Sequence, residues 1–322
     1  MRIFITGGAG FLGSHLCDHY VQEGHHVVCY DNLFSGDLNN VRHLFTNPKF
    51  KFVYGDVRDK DLLEKIMPRS DVVIHLAAQI HVDRSITETK LTYDVNVIGT
   101  QNVLEVSRMF DIDRVIFASS SEVYGSGETP KMSESHPLNA PHPYGASKIA
   151  ADRMCYAYAK TYGMKINIVR LFNIYGPRQK DSGYGGVISV FTRRVASGQP
   201  PIVYGTGEQT RDYLYIKDAV RAYDLVLKSG ANLAGTAINF GTGKEVTINH
   251  IAAEIIRLFG KQDTLKPAHV TGRPSEVERL CADITLAEKE LGFKPQYSFD
   301  EGLKELVSWF QNYRSEEWTK ER

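Results

Sequence analysis

The glycine-rich stretch Thr6–Gly13 constrains the fold of this chain more than any other feature. It follows the apolar run Ile3–Ile5, which is typical of a strand, and it precedes a helical pattern from about Ser14 to Glu23. Asp31 ends the next apolar run, about twenty residues further on, as in the dinucleotide-binding fingerprint. Glycines let the backbone approach a pyrophosphate at a helix N-terminus, where amide groups favour anions. Because Asp31 would accept hydrogen bonds from a ribose and repel a 2′-phosphate, the stretch predicts NAD as cofactor.

Strand-like runs alternate with helical patterns along the first half of the chain. The runs are Lys51–Tyr54, Ser70–Ala78, Arg114–Ala118 and Lys165–Arg170, and the long helical patterns are Thr89–Phe110 and Tyr144–Tyr162. This alternation predicts an α/β protein with a Rossmann-type, doubly wound parallel sheet that binds ligands at the carboxyl ends of its strands.

The pattern of strand-like and helical segments changes after residue 173. Glycine-punctuated loops separate short elements there, and helical patterns follow at Ala219–Lys228, Thr247–Phe259 and Phe299–Tyr313. We therefore expect an NAD-binding domain at residues 1–173, a smaller mixed α/β substrate lobe mainly at 174–314, and a charged tail at 315–322.

Three residues form a candidate proton-handling set. Tyr144 and Lys148 lie four positions apart in a helical pattern, so both side chains project from one helix face. A neighbouring ammonium favours the phenolate, so we expect the pKa of Tyr144 to fall below its reference value of about 10. Ser120 lies just beyond the apolar run Arg114–Ala118, where a strand tip would present its hydroxyl.

The totals exclude several classes of function. Thirty-eight Lys and Arg balance 38 Asp and Glu, so no overall charge attracts nucleic acid or an anionic membrane. No apolar run reaches the roughly 18 residues of a membrane span. The four cysteines show no metal-ligand spacing, so we expect no metal site, and they are typical of buried thiols in a reducing compartment. Because a strand begins at residue 2, we expect no signal peptide and a cytoplasmic location.

Taken together, the motifs resemble the extended short-chain dehydrogenase/reductase family, specifically its nucleotide-sugar epimerases and dehydratases, over nearly the whole chain. The resemblance rests on Gly7–Gly13, Ser120, the Tyr144 and Lys148 pair, the loop Asn173–Arg178, and Arg211–Tyr213. It implies that Tyr144 takes the proton of the sugar 4-hydroxyl while hydride passes from C4 to NAD. It also implies that Ser120 binds O4 and that Lys148 binds the nicotinamide ribose.

The same resemblance implies two sets of binding residues. The expected cofactor contacts are Gly7, Gly10, Phe11, Leu12, Asp31, Asn32, Gly36, Asp56, Val57, Leu76, Ala77, Ala78, Asn96, Tyr144, Lys148 and Phe172. The expected contacts to a nucleotide sugar are Ser120, Ser121, Asn173, Val187, Ile202, Tyr204, Arg211, Arg273, Glu276 and Cys281. Among the second set, Arg211 and Arg273 would pair with the pyrophosphate and Glu276 with the nucleotide ribose.

Two features favour a UDP-hexose 4-epimerase among the branches of this family. The loop Arg178–Phe191 resembles that of bacterial and archaeal enzymes of this kind. Cys281 matches a position beside the sugar C2, where a small residue would leave space for an N-acetyl group. An ordinary small core residue remains an equal alternative for Cys281. We expect the substrates to be UDP-GlcNAc and UDP-GalNAc, with UDP-glucose and UDP-galactose as a second pair.

One residue favours the other branches. Glu122 occupies the position of the base that removes the C5 proton in 4,6-dehydratases, and the phrase His81–Ile86 resembles dTDP-glucose dehydratases. However, Ser121 replaces the acid that those enzymes place before the glutamate, although GDP-mannose dehydratases and UDP-glucuronate decarboxylases also show Ser-Glu. A dehydratase or decarboxylase using Glu122 is thus the alternative, and a structural role for Glu122, anchoring a neighbouring loop, also stays open.

The two long helices, after Thr89 and after Tyr144, resemble those that pair across a two-fold axis in this family. We therefore expect a homodimer.

Overall fold

A computed structural model describes residues 1–181, 185–229, 233–272 and 277–313. The strands are β1 Arg2–Thr6, β2 His26–Asp31, β3 Phe50–Tyr54, β4 Val72–His75, β5 Arg114–Ser120, β6 Ile166–Leu171, β7 Asn173–Tyr175, β8 Ile202–Tyr204, β9 Thr210–Arg211, β10 Tyr213–Tyr215, β11 Ala237–Phe240, β12 Val246–Thr247, β13 Ala268–Val270 and β14 Arg279–Leu280. Seven of these strands form one parallel sheet in the order β3-β2-β1-β4-β5-β6-β11. The predicted Rossmann-type doubly wound sheet is confirmed.

The helices are α1 Phe11–Gln22, α2 Lys60–Ile66, α3 Val82–Thr87, α4 Thr89–Tyr93, α5 Gly99–Met109, α6 Pro143–Tyr162, α7 Val187–Ala196, α8 Ile216–Lys228, α9 Ile248–Leu258, α10 Thr285–Leu291 and α11 Phe299–Tyr313. A π-helical segment, Asp94–Ile98, joins α4 to α5, so the predicted helix from Thr89 is continuous but irregular. Short 3₁₀ turns lie at Leu38–Asn40, Arg42–Leu44 and Ser121–Val123.

The central sheet is buried on both faces, as its apolar strands require. Every residue of β4 and β6 is buried, which is typical of parallel strands covered by helices on each side. On one face, Leu16 and Tyr20 of α1 pack with Tyr223 of α8. On the other face, Leu104 of α5 and Cys155 of α6 belong to a second core. The molecule is therefore layered helix, sheet, helix around the strand ends that carry the site.

The predicted boundary at residue 173 does not separate the sheet from the substrate lobe. β11 pairs with β6, with Ala237 opposite Ile168, so a strand from the second region completes the sheet of the first. All four residues of β11 are buried although it is an edge strand, as expected for a parallel strand covered on both faces. The two regions share one core.

Small sheets build the remainder of the second region. β7 pairs with β10, β9 lies between β12 and β14, and β8 pairs with β13. Asp212, between β9 and β10, accepts hydrogen bonds from the backbone N–H groups of Thr242, Gly243 and Ala282. This buried carboxylate ties the lobe to the end of β11.

Within the described residues, no helix is long and apolar enough to cross a membrane. Across the same ranges, no cluster of three or more His, Cys, Asp or Glu side chains is arranged to hold a metal ion. All four cysteines are buried and unpaired.

Candidate functional site

A cavity of about 240 Å³ opens where β1, β2, β4 and β5 end. It is the switch point of a doubly wound sheet, where ligands of such folds bind. Most of the predicted cofactor contacts line it: Gly7, Gly10, Phe11, Leu12, Asp31, Asn32, Asp56, Val57, Leu76, Ala77, Ala78, Tyr144 and Lys148.

Glycines shape the floor of this cavity. Gly7 has φ +68°, and a Cβ there would lie 2.9 Å from the backbone nitrogen of Ala77. A Cβ on Gly13 would lie 2.1 Å from the Gly7 oxygen, so α1 touches the turn that precedes it. Gly10 is the N-cap of α1, and no side chain caps that helix. Uncapped N–H groups at a helix start are suited to a pyrophosphate, so the cradle fits a dinucleotide.

Asp31 closes the ribose end of the cavity at the tip of β2. Its carboxylate is 7% exposed and accepts the N–H groups of Ala9 at 3.0 Å and Leu33 at 2.7 Å. Burial raises the pKa of Asp31, and the two backbone hydrogen bonds oppose that rise. A Cβ on Gly36 would meet the same carboxylate at 2.8 Å, so the lack of a side chain at Gly36 leaves room for Asp31, although Gly36 is not in the cavity lining. An acceptor at this position suits the free ribose hydroxyls of NAD.

Asp56 lies at the far end of the cavity and is held by its neighbours. Arg58 donates to both carboxylate oxygens, at 2.9 and 2.7 Å, and Asn32 Nδ2 donates at 2.8 Å. These hydrogen bonds, that of Arg58 foremost, lower the pKa of Asp56 to about 2. Asp56 is thus charged at neutral pH and pre-positioned in the cavity wall.

Two predicted cofactor residues lie behind the cavity and not on its surface. Asn96 is buried. Its Oδ1 accepts a hydrogen bond from the Gln79 N–H at 2.7 Å, and its Nδ2 donates to the Gln79 carbonyl and to Ser147 Oγ, both at 2.9 Å. Phe172 is buried in a separate apolar cluster, beside the Tyr124 ring. The backbone places both side chains in the core, so direct cofactor contact by these two residues stays a prediction. Asn96 supports the cavity wall through Gln79, which does line the cavity.

Tyr144 and Lys148 lie at one edge of this cavity, and Ser120 hydrogen-bonds Tyr144. Ser120 is the last residue of β5, and Tyr144 and Lys148 occupy successive turns of α6. Lys148 is 4% exposed, and its Nζ donates to the Ala118 carbonyl at 2.9 Å. Burial lowers the pKa of Lys148 to about 8. The ammonium is therefore close to its titration range at working pH.

The expected fall in the pKa of Tyr144 is not found in the protein alone. Burial raises the pKa of this phenol to about 12; a hydrogen bond with Ser120 opposes the rise, and the charge of Glu122 adds to it. The cause is desolvation, which a sequence does not reveal and which here outweighs the hydrogen bond with Ser120.

Glu122 follows the tip of β5, and its side chain is 18% exposed. Its Oε2 atom lies 3.1 Å from Nε2 of His142, the N-cap of α6. Sequence reasoning missed His142; its place directly before Pro143 and Tyr144 was the available indication, because Pro favours the first position of a helix.

Sequence reasoning also missed a buried ion pair that lies next to Ser119. Arg170 of β6 donates to both oxygens of Asp152 of α6, at 2.9 and 3.0 Å, and Ser119 Oγ donates to the same carboxylate at 2.8 Å. Burial alone would raise the pKa of Asp152, but these hydrogen bonds, led by Arg170, hold it below its usual value. The pair fixes α6 to β5 and β6 just beyond Ser120.

The expected substrate residues are only partly described. Asn173 begins β7, and its buried Nδ2 atom has no hydrogen-bond partner within the described residues. Val187 begins α7, Ile202 and Tyr204 bound β8, and Arg211 lies in β9. Ser121 and Cys281 are buried, each 3% exposed. Arg273 and Glu276 lie outside the described residues.

A sequence profile described as GDP-mannose 4,6-dehydratase matches residues 4–306 of the chain. The chain belongs to this family. This family belongs to the extended short-chain dehydrogenase/reductases that the motifs resemble. The family prediction is therefore confirmed.

Members of the family that are similar to this chain differ in reaction. A protein of Methanocaldococcus jannaschii with a provisional UDP-glucose 4-epimerase designation is 41% identical over 312 residues, covering 96% of this chain and 98% of its own. The Thermotoga maritima UDP-glucose 4-epimerase, solved with UDP-glucose, is 34% identical with a TM-score of 0.91, covering 97% and 99% of the two chains. The Streptomyces venezuelae dTDP-glucose 4,6-dehydratase, solved with NAD, is 33% identical with a TM-score of 0.91, covering 98% of each chain. The NAD bound in that structure supports the predicted cofactor. The similar members of the family include both epimerases and dehydratases.

Proposed function

We propose that this protein is an NAD-dependent nucleotide-sugar 4-epimerase that interconverts UDP-GlcNAc and UDP-GalNAc, with UDP-glucose and UDP-galactose as a second pair. One observation carries the choice. Tyr144 and Lys148 line the cavity and Ser120 hydrogen-bonds Tyr144, while the carboxylate of Glu122 contacts His142 and its neighbour Ser121 is buried.

The chain's own groups perform the proton transfers of the reaction. Ser120 binds the sugar 4-hydroxyl and holds it against the Tyr144 phenol, which takes the hydroxyl proton as base and later returns it as acid. Gly7, Gly10 and Asp31 would hold NAD in the cavity, and the bound cofactor would supply reversible hydride transfer at the sugar C4. Lys148 supplies a positive charge beside the reacting atoms, which favours the phenolate form of Tyr144.

The residue before Glu122 weighs against elimination of the kind that dTDP-glucose 4,6-dehydratases perform. Loss of the C6 hydroxyl requires a proton donor as well as a base at C5. A serine hydroxyl is a poor acid at neutral pH, and Ser121 is 3% exposed. Glu122 therefore lacks the adjacent acid that dTDP-glucose 4,6-dehydratases use, although GDP-mannose dehydratases also show Ser-Glu at these positions.

Several residues support a UDP-sugar as the substrate. The buried Nδ2 group of Asn173 has no hydrogen-bond partner within the described residues. Leaving a buried donor unbonded costs free energy, so this group would donate to an acceptor atom of a bound ligand. Arg211 would contribute positive charge toward the pyrophosphate. Cys281 would leave room for an N-acetyl group where a bulkier side chain would not. The similar Thermotoga maritima enzyme was solved with UDP-glucose.

Product analysis tests this proposal. Purified protein incubated with UDP-GlcNAc should give UDP-GalNAc by NMR, and the Tyr144→Phe variant should lose about 10²-fold or more in kcat. Exclusive formation of a 4-keto-6-deoxy sugar would contradict the proposal. Carbon dioxide release from UDP-glucuronate without any epimer would contradict it equally.

A further inference from the structure

Glu122 contacts both halves of the catalytic set. Its backbone N–H donates to Ser120 Oγ at 3.2 Å. Its side-chain Oε2 lies 3.1 Å from Nε2 of His142, two positions before Tyr144. One residue thus joins the end of β5, which carries Ser120, to the start of α6, which carries Tyr144.

The hydrogen bonds of His142 assign its tautomer. The Gly145 N–H donates to Nδ1 of His142 at 3.1 Å, which makes His142 the N-cap of α6. A ring nitrogen that accepts a hydrogen bond carries no proton, so the proton of the neutral imidazole is on Nε2. Nε2 therefore donates to Glu122, and the carboxylate selects the tautomer that caps the helix.

Packing at the start of α6 transmits this contact to the phenol. The His142 ring stacks on the Tyr144 ring, with centroids 6.1 Å apart and planes inclined by 11°. A Cβ on Gly145 would lie 2.7 Å from the Glu122 carbonyl oxygen and 2.5 Å from Ala140 Cβ. The first turn of α6 is therefore pressed against the turn that contains Glu122.

We propose that Glu122 and His142 form a positioning pair that aligns the Tyr144 hydroxyl with Ser120, and that Glu122 does not act as a base toward the sugar. This inference rests on the proposed 4-epimerase. It assigns a role in C4 oxidation to the one residue whose presence would otherwise favour elimination. A displacement of about 1 Å at reacting atoms is enough to cost roughly 100-fold in rate.

Four substitutions separate this role from capping and from proton transfer. In Glu122→Gln, the amide oxygen still accepts from His142, whereas Glu122→Ala removes the acceptor. Asn is a strong N-cap, so His142→Asn keeps the cap but is too short to reach Glu122. His142→Ala removes both contacts. Glu290→Gln changes an exposed carboxylate and serves as the matched control.

The measurements are kcat, KM and the isotope effect on kcat with UDP-GlcNAc deuterated at C4. Glu122→Gln should keep kcat within about threefold of wild type. Glu122→Ala and His142→Asn should lower kcat about tenfold or more with little change in KM. Their isotope effect should rise, because cleavage of the C4 bond becomes the slowest step. A loss of folded protein alone would lower kcat and leave the isotope effect unchanged.

Two outcomes would overturn the inference. Wild-type kcat in both Glu122→Ala and His142→Asn would show that the pair positions nothing. A loss of 100-fold or more in Glu122→Gln would show that the carboxylate itself exchanges a proton. Because C4 oxidation comes first in every branch of the family, the isotope effect reports on positioning even if the wild-type product refutes epimerisation.

Discussion

Lys148 shows how burial sets the working state of the catalytic residues. Its ammonium is 4% exposed and has one hydrogen bond to the strand, from Nζ to the Ala118 carbonyl. The resulting pKa of about 8 lies well below the ordinary value of 10.5. A charge held at this position costs folding free energy, and in the proposed mechanism it would favour the Tyr144 phenolate.

This cost predicts a pH-dependent stability. Between pH 8 and 10.5 the unfolded chain keeps the Lys148 proton and the folded chain has lost it, so the free energy of unfolding rises with pH. Across that window, wild type should gain roughly 3 kcal/mol relative to Lys148→Met. Urea unfolding at a series of pH values measures this difference.

Lys160→Met, at an exposed position of the same helix, provides the control and should show no such gain. If the difference in free energy of unfolding between wild type and Lys148→Met does not change from pH 8 to 10.5, burial does not lower the pKa of Lys148.

At the scale of elements, the backbone at the junction between β1 and α1 is packed too closely to admit a side chain at Gly7 or Gly13. Gly7 and Gly13 bring the turn and the helix into contact, since any Cβ on Gly13 would overlap the Gly7 oxygen. The same contact aims the uncapped N–H groups of α1 into the cavity.

Gly13→Ala should therefore weaken NAD binding about tenfold or more and cost roughly 2 kcal/mol of stability, through overpacking. Isothermal titration of cofactor-free protein and thermal unfolding measure the two effects. Gly272→Ala is the matched control, because a Cβ there would lie 3.7 Å from its nearest neighbour, an ordinary contact. Equal NAD affinity in the two variants would contradict the close approach at Gly13.

Local patterns predicted most of these elements. The amphipathic run Phe299–Tyr313 is α11 with the same limits, and the pattern from Tyr144 to Tyr162 is α6, which begins one residue earlier. The glycine stretch and Asp31 line the cavity that they predicted. These features depend on neighbours in sequence, and a sequence shows those directly.

Long-range contacts account for what was missed. The return of β11 to the sheet depends on Ala237 pairing with Ile168, far away along the chain. The high pKa of Tyr144 depends on burial by the tertiary structure. The link between Glu122 and His142 depends on a turn and a helix start meeting in space. No local pattern encodes any of these.

At the scale of the whole molecule, α5 and α6 expose several large apolar side chains. Exposed large side chains at this surface include Met109, Phe110, Tyr156 and Tyr162. Contiguous exposed apolar patches mark association surfaces in soluble proteins, and a second copy of the chain can cover such a patch with its own. We propose a homodimer that pairs these two helices.

Light scattering should then give about twice the chain mass of 36.2 kDa. Tyr156→Glu should shift the protein to the monomer, because a carboxylate in an apolar interface is costly. Tyr54→Glu, at another exposed tyrosine near the end of β3, should leave the dimer intact. A wild-type mass of one chain would contradict the proposal.

The most direct test of the 4-epimerase is the reaction of UDP-GlcNAc in D₂O, with the sugar product analysed by NMR and mass spectrometry. Hydride leaves and returns at C4 without contact with solvent, and no proton leaves C5. The product should therefore be UDP-GalNAc, with protium at both C4 and C5 and no added mass beyond exchangeable hydroxyl and amide positions. A product that has lost water and carries solvent deuterium at C5 would contradict epimerisation and identify elimination.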